Sequence, residues 1–279
     1  GLWDEQDQFY YDELSLPEAN GEMLRIALRV RSLVGIIPLF AVETIEPETL
    51  SRLPRFAESL NLTIAHEPEL ADLVSRWYEP GRGDRRLLSL LRGHRMKKLL
   101  QRMLDPNEFL SEFGVRSLSK VHEHDPYLFN HHGQNHEVRY TPAESDNWMF
   151  GGNSNWRGPI WFPINFLIIE SLQKFHHYYG DDFRIEFPSG TGNYCTILEV
   201  SEHLSGRLIN LFLLDENRQR PIYRHTPQMQ NDPQFRDYLQ FYEYFHGDNG
   251  RGAGASHQTG WTGLVAKLLY PRRTPIVQG

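Results

Sequence analysis

The sequence predicts an all-α fold in which helical hairpins wrap into a toroid. Three observations predict it. Apolar residues recur at spacings of three and four in most regular segments, these segments alternate between amphipathic and nearly all-apolar, and long aromatic loops join them without a strand series. A chain of 279 residues holds one or two domains, and a single one over 1–279 is expected.

Residues 2–14 mix Trp3, Phe9, Tyr10 and Tyr11 with Asp4, Asp7 and Asp12 in no clean period, and read as a structured loop. Over 32–45, Leu33, Ile36, Ile37, Phe40, Ala41 and Thr44 mark one buried helix face, with Pro38 implying a kink or a late start. Pro47 suits a first helical turn, so 48–60 follows as an amphipathic helix, with shorter ones at 67–78 and 96–104. Between 117 and 155 the pattern gives way to a His-, Asn-, Asp- and Gly-rich loop long enough to suggest function. Residues 160–179 are apolar nearly all round, the mark of a helix buried on several sides. A turn cluster at 188–192 precedes an amphipathic helix at 197–214, and another begins near Pro233. The glycine-rich loop 247–254 then leads through His257 and Gln258 into a last helix, 261–269.

Lys and Arg number 29 against 36 Asp and Glu, a formal net charge of −7 with no basic block, which disfavours nucleic-acid and anionic-membrane partners. The 13% aromatic content excludes disorder as the main state. Cys195 is alone, so no intrachain disulfide forms, and it reads as buried and inert. The longest apolar run, 164–172, is broken by Asn165 and Glu170 and falls short of the roughly 20 residues a bilayer needs. No transmembrane helix and no signal sequence are seen, which points to a cytoplasmic protein. Gly1 is followed at once by Leu-Trp-Asp-Glu, as though the chain starts inside a fold.

Three segments set aromatics beside carboxylates, amides and glycines: 113–120, 151–162 and 241–261. Sugars present apolar ring faces edged with hydroxyls, so a saccharide pocket needs flat aromatic platforms next to polar side chains. Trp156, Trp161 and Trp261 meet that need with Asn153, Asn155, Arg157 and Gln258 close by, although tryptophans of this kind also serve as plain core. Glu243 stands in Phe-Tyr-Glu-Tyr-Phe, surroundings that suit general acid or base chemistry, while the simpler reading is a helix-end Glu facing water. A histidine-rich stretch, His122, His124, His131, His132 and His136 with Glu123 and Glu137, is a weak signal for zinc, manganese or iron. Loop histidines making hydrogen bonds are the stronger reading, and neither a metal nor another cofactor is expected.

Together, Gly114-Val-Arg-Ser-Leu-Ser-Lys120, Asn153-Ser-Asn-Trp-Arg-Gly-Pro-Ile-Trp161, and Glu243 followed by Gly250-Arg-Gly and Thr259-Gly-Trp-Thr262 resemble glycoside hydrolase family 63. The resemblance implies an (α/α)6 toroid, here its incomplete C-terminal part, and an inverting α-glycosidase that needs no cofactor. It gives Glu243 the place of the general base and puts Trp156 and Trp161 in the sugar pocket, with Arg157 and Gln258 as partners. The substrate it implies is an oligosaccharide or a small α-glucoside or α-mannoside. Tyr244 and Phe245 depart from the family pattern, which often has Tyr two residues after the base. The family's general acid, an Asp, is expected upstream of Leu2, with Asp4, Asp12 and Asp146 as fallbacks. Without an acid the chain is a non-catalytic saccharide-binding fragment, the rival reading; a histidine-metal hydrolase is the third.

Overall fold

The computed structural model describes residues 2–18, 20–67, 77–91, 93–131, 133–143 and 158–270. The chain divides into two compact units, one of residues 1–108 and 167–201, the other of 109–166 and 202–279. The all-α expectation is overturned. Among the described residues seven two-stranded antiparallel sheets stand beside the helices, so the chain is not an all-helical toroid. These strands escape a reading by period for a physical reason. Pairs such as Leu110–Ser111 with Gly114–Val115 are too short to show a period at all. The longer pair, Asp12–Pro17 with Met23–Leu28, does set Leu14, Leu16, Leu24 and Ile26 on one face with Glu13, Ser15 and Arg25 on the other, but the alternation spans only six residues a strand and none of the side chains is fully buried.

In the first unit the expected loop at 2–14 is strand-rich: Trp3–Asp4 pairs with Phe9–Tyr10, and Asp12 opens the longer pair. The expected helix at 32–45 is cut in two. Leu33–Phe40 is a 3-10 helix containing Pro38, after which Val42–Ile45 leaves as a strand against Arg86–Ser89, as its β-branched residues favour. Pro47 does open a helix, Pro47–Arg52, but Pro54 opens a second, Pro54–His66, and Leu53 between them sits at φ −122°, ψ 63°. A residue before proline is pushed out of the helical region, which splits the single helix expected over 48–60. Gly93–Met103 buries Met96, Leu99, Leu100 and Met103 on one face and matches the 96–104 expectation to within a residue at its end. Most of the helix expected at 67–78 lies outside the described residues. Cys195 is half-buried on the strand Tyr194–Thr196, not fully buried as expected; burial and the charge of Glu199 push its thiol up, which keeps it protonated.

A charge network ties the first unit's opening strands to its helices. Arg31 donates to Asp7 at 2.7 Å and to Glu108 at 3.0 Å, Arg102 pairs with Glu108, and the Tyr11 hydroxyl donates to Asp7. Burial raises the Asp7 carboxyl, but the hydrogen bonds from Tyr11 and Arg31 and the charges of Arg31 and Arg102 prevail and hold it below its ordinary 3.8. Burial and the same carboxylate push the Tyr11 hydroxyl up to about 12. A carboxyl depressed in the native state stabilises above its unfolded pKa and loses that contribution as pH falls through the native value. The unfolding midpoint is therefore expected to drop as pH falls from about 5 to about 2, and Asp7→Asn to flatten the drop. An Asp7→Asn profile parallel to the parent's contradicts this.

The helices Phe162–Tyr179 and Ile197–Asn210 answer the segments expected at 160–179 and 197–214, the second stopping short of its expected end. Near Pro233 the helix found is Pro227–Asn231, before the proline rather than after it. The expected last helix is two short ones, Thr259–Thr262 and Val265–Leu269. The described part of the 117–155 loop holds a 3-10 turn, Lys120–Glu123, and a hairpin of Tyr127–His131 with Gln134–Val138. Among the described residues no helix is long and apolar enough to cross a membrane.

Candidate active site

The second unit stitches its motif segments together through backbone. Gly114 sits at φ +138°, where a Cβ would lie 2.9 Å from Asn165 Oδ1 and 3.1 Å from Ile160, so both conformation and space call for glycine. Asn165, 1% exposed, grips the neighbouring residue on both sides: its Oδ1 accepts from the Val115 N–H at 2.7 Å and its Nδ2 donates to the Val115 carbonyl at 3.0 Å. That contact explains why a polar residue interrupts the apolar helix. The Ser117 N–H donates to the Pro159 carbonyl at 3.1 Å, and its hydroxyl accepts from the Gly158 N–H at 2.9 Å. Ile160 bridges to Arg116 on one side and on the other exchanges two hydrogen bonds with Phe245, at 2.7 and 3.0 Å.

Phe245 carries the lattice to Glu243. The strand Tyr244–Phe245 pairs with Gly252–Ala253, and Glu243 lies just outside this hairpin, not at a helix end. The Glu243 N–H donates to the Ala255 carbonyl at 2.8 Å, and the Ala255 N–H donates back to Glu243 Oε2 at 3.2 Å. Among the described residues Oε2 is the engaged carboxylate oxygen, and Oε1 is left open. Gly254, at φ +68°, lies under the carboxylate: a Cβ there would meet Oε2 at 2.7 Å.

Two tryptophans pack at the Glu243 hairpin and differ in exposure. Trp161, 6% exposed, packs 5.0 Å from Tyr244 and edge-on against Trp261 at 6.3 Å. Trp261 is 41% exposed, and its Nε1–H donates to the Glu243 carbonyl at 3.1 Å, which ties the ring to the Glu243 main chain. Gln258 heads the short helix Thr259–Thr262: its N–H donates to the Phe241 carbonyl at 2.8 Å and its carbonyl accepts from the Trp261 and Thr262 N–H groups. Its half-buried side-chain amide makes no hydrogen bond among the described residues. Glu243, Trp161, Gln258 and Trp261 are thus brought together. Trp156 and Arg157, with Asn153, Asn155 and Asp146, lie outside the described residues.

The other candidates fall elsewhere. Asp4, in the first unit, accepts from the Gln6 and Asp7 N–H groups through Oδ1 and pairs with Arg29 through Oδ2, so both oxygens are engaged; Asp12 lies exposed on its strand. His122 is buried with its Nδ1 on the Asp125 carbonyl, whereas His124 points to solvent beside Glu123. Among the described residues no group of three His, Cys, Asp or Glu side chains is placed to hold a metal ion.

One cluster joins residues that no spacing in the sequence links, Arg116 and Lys120 of the 114–120 segment and Asp248 of the 247–254 loop. Asp248 Oδ1, at the hairpin's loop, accepts from Tyr140 at 3.0 Å, from Arg116 at 3.1 Å across 132 residues of sequence, and from Lys120 at 3.4 Å. Arg116, with 7% of its side chain exposed, also donates to the Tyr140 oxygen at 3.1 Å and to the Leu110 carbonyl at 2.6 Å. Burial raises the Asp248 carboxyl, but Arg116, Tyr140 and Lys120 outweigh it and keep it ionised well below neutral pH.

Comparison with known proteins bears on this arrangement. Residues 86–186 match the Glycosyl hydrolase family 63 C-terminal domain, a stretch that takes in the 114–117 and 158–165 segments of the lattice and ends before Glu243. The chain is family 63-like. A mannosyl-oligosaccharide glucosidase of Saccharomyces cerevisiae is 27% identical over 176 residues, and a probable mannosyl-oligosaccharide glucosidase of Schizosaccharomyces pombe is 25% identical over 175, each across 63% of this chain. An uncharacterized protein of Saccharomyces cerevisiae is 49% identical over 271 residues, 96% of the chain. The family 63-like chain spans 24% of that protein's length and 15% of each glucosidase.

Proposed function

We propose that this family 63-like chain carries the general-base side of an inverting α-glycoside hydrolase site, with Glu243 as the base. The observation that carries the reading is the hold on Glu243: Oε2 is tied to the Ala255 N–H, the main chain to Ala255 and to the exposed Trp261 indole, and among the described residues Oε1 makes no hydrogen bond. A base must be aimed before it reacts, and a carboxylate fixed through one oxygen presents the other in a set direction. In this reading a water donates its proton to Oε1 as its oxygen bonds to the anomeric carbon, on the face opposite the departing group. Trp261 offers its ring to the sugar, with Trp161 packed beneath it and the Gln258 amide available to a hydroxyl. Trp156 and Arg157, outside the described residues, join them from the sequence alone. An oligosaccharide or a small α-glucoside or α-mannoside is the substrate class, and the names of the two glucosidase relatives support a glucosyl group.

The test uses α-glucosyl and α-mannosyl fluorides, because fluoride leaves without a proton and the base can be studied apart from any acid. Proton NMR during hydrolysis is expected to show the β-anomer of the free sugar first. Release of the α-anomer first overturns the inverting reading. Saturation transfer to a sugar without turnover supports the rival, a saccharide-binding fragment.

A further inference from the structure

We infer that Asp248 is a positioning residue for Glu243, held by Arg116, Tyr140 and Lys120 and acting through the hairpin between them; the inference rests on Glu243 being the base. Glu243 and Asp248 bracket the strand Tyr244–Phe245, one just before it and the other in the loop beyond. That loop is fixed in three places. Asp248 takes three donors on one oxygen, the Gly247 N–H donates to the Pro142 carbonyl at 2.6 Å, and Gly250, at φ +73°, leaves only 2.6 Å between a Cβ and the Phe113 ring. One of the donors on Asp248, Arg116, belongs to the lattice itself, since it bridges to Ile160 and Ile160 pairs with Phe245.

The hairpin is therefore tied to the lattice at its loop by charge and along its strand by backbone. Charge-assisted hydrogen bonds are roughly twice as strong as neutral ones, and a two-stranded hairpin this short has little stability of its own. Burial and Asp248 together push the Tyr140 hydroxyl up, so it remains a donor throughout the neutral range. Releasing Asp248 frees the loop, the strand shifts against Ile160, and Glu243 at the strand's other end loses its fixed aim. The Trp261 Nε1–H, which donates to the Glu243 carbonyl, registers that shift without any need for turnover.

The full chain is compared with Asp248→Ala, Asp248→Asn and Glu243→Gln by indole N–H hydrogen exchange and by glycosyl fluoride kinetics. Trp77, whose Nε1–H donates to Asn61 in the first unit, is the internal control. Asp248→Ala is expected to speed Trp261 indole exchange by on the order of tenfold while Trp77 stays unchanged. It is expected to lower kcat by on the order of tenfold with KM within about twofold, and Asp248→Asn, which keeps an acceptor oxygen, recovers part of that loss. Parent-like Trp261 exchange and kcat in Asp248→Ala overturn the inference, as does an equal acceleration at Trp77, which signals general loosening. Full turnover in Glu243→Gln instead sinks the base assignment, a distinguishable failure.

Discussion

Glu243→Gln is expected to slow hydrolysis of α-glycosyl fluorides by a factor of roughly 10² to 10⁴, the range in which a positioned general base contributes. The amide keeps the side chain's shape and an acceptor for the Ala255 N–H, so the hairpin and the Trp261 contact should survive. What is lost is the ability to take a proton from water. KM should change by less than about threefold, because an interaction made only in the transition state lowers kcat and kcat/KM together. Turnover within about tenfold of the parent would remove Glu243 from the reaction.

Gly254→Ala is expected to give the second large loss, from a residue that performs no chemistry. Two costs combine at this position. An L-residue at φ +68° is disfavoured by roughly 1–2 kcal/mol, and the new methyl would sit 2.7 Å from Glu243 Oε2, so the carboxylate must swing away from the Ala255 N–H. Turnover should fall by on the order of a hundredfold, since misplacing a catalytic group by about 1 Å costs that much. Gly133→Ala separates the two costs: at φ +78° it carries the same strain, but nothing lies within 4 Å of its Cβ. It should lower the unfolding midpoint slightly and leave turnover unchanged. Parent-like turnover in Gly254→Ala, as in Gly133→Ala, would show that the methyl does not displace the Glu243 carboxylate.

The parts of the site legible in the sequence are those whose chemistry is local. Aromatics around Glu243, a glycine loop after it and tryptophans among amides led to Glu243, Trp161, Gln258 and Trp261, which the structure brings together. The hold on Glu243 was not legible, because it depends on a hairpin register that sets Ala253 opposite Tyr244 and so brings Ala255 to Glu243. Arg116 and Asp248 were further out of reach, being 132 residues apart with no spacing that joins them. The long helices were readable because Phe162–Tyr179 and Ile197–Asn210 carry several turns of apolar pattern. The strands were not, and the all-helical toroid was the consequence. Val42–Ile45 continues the apolar spacing of the 3-10 turn before it, which disguised a strand as the end of a helix.

The most direct measurement removes the base and supplies a substitute. Glu243→Ala leaves room beside the anomeric carbon, and azide can enter it as a nucleophile that needs no proton taken from it. With an α-glycosyl fluoride, the carbon–fluorine bond breaks as a carbon–nitrogen bond forms on the opposite face. Base catalysis by Glu243 predicts that the variant is nearly inert in water, that azide restores consumption of the fluoride, and that NMR identifies the product as the β-glycosyl azide. Hydrolysis by Glu243→Ala at the parent rate, or formation of the α-azide, would contradict it.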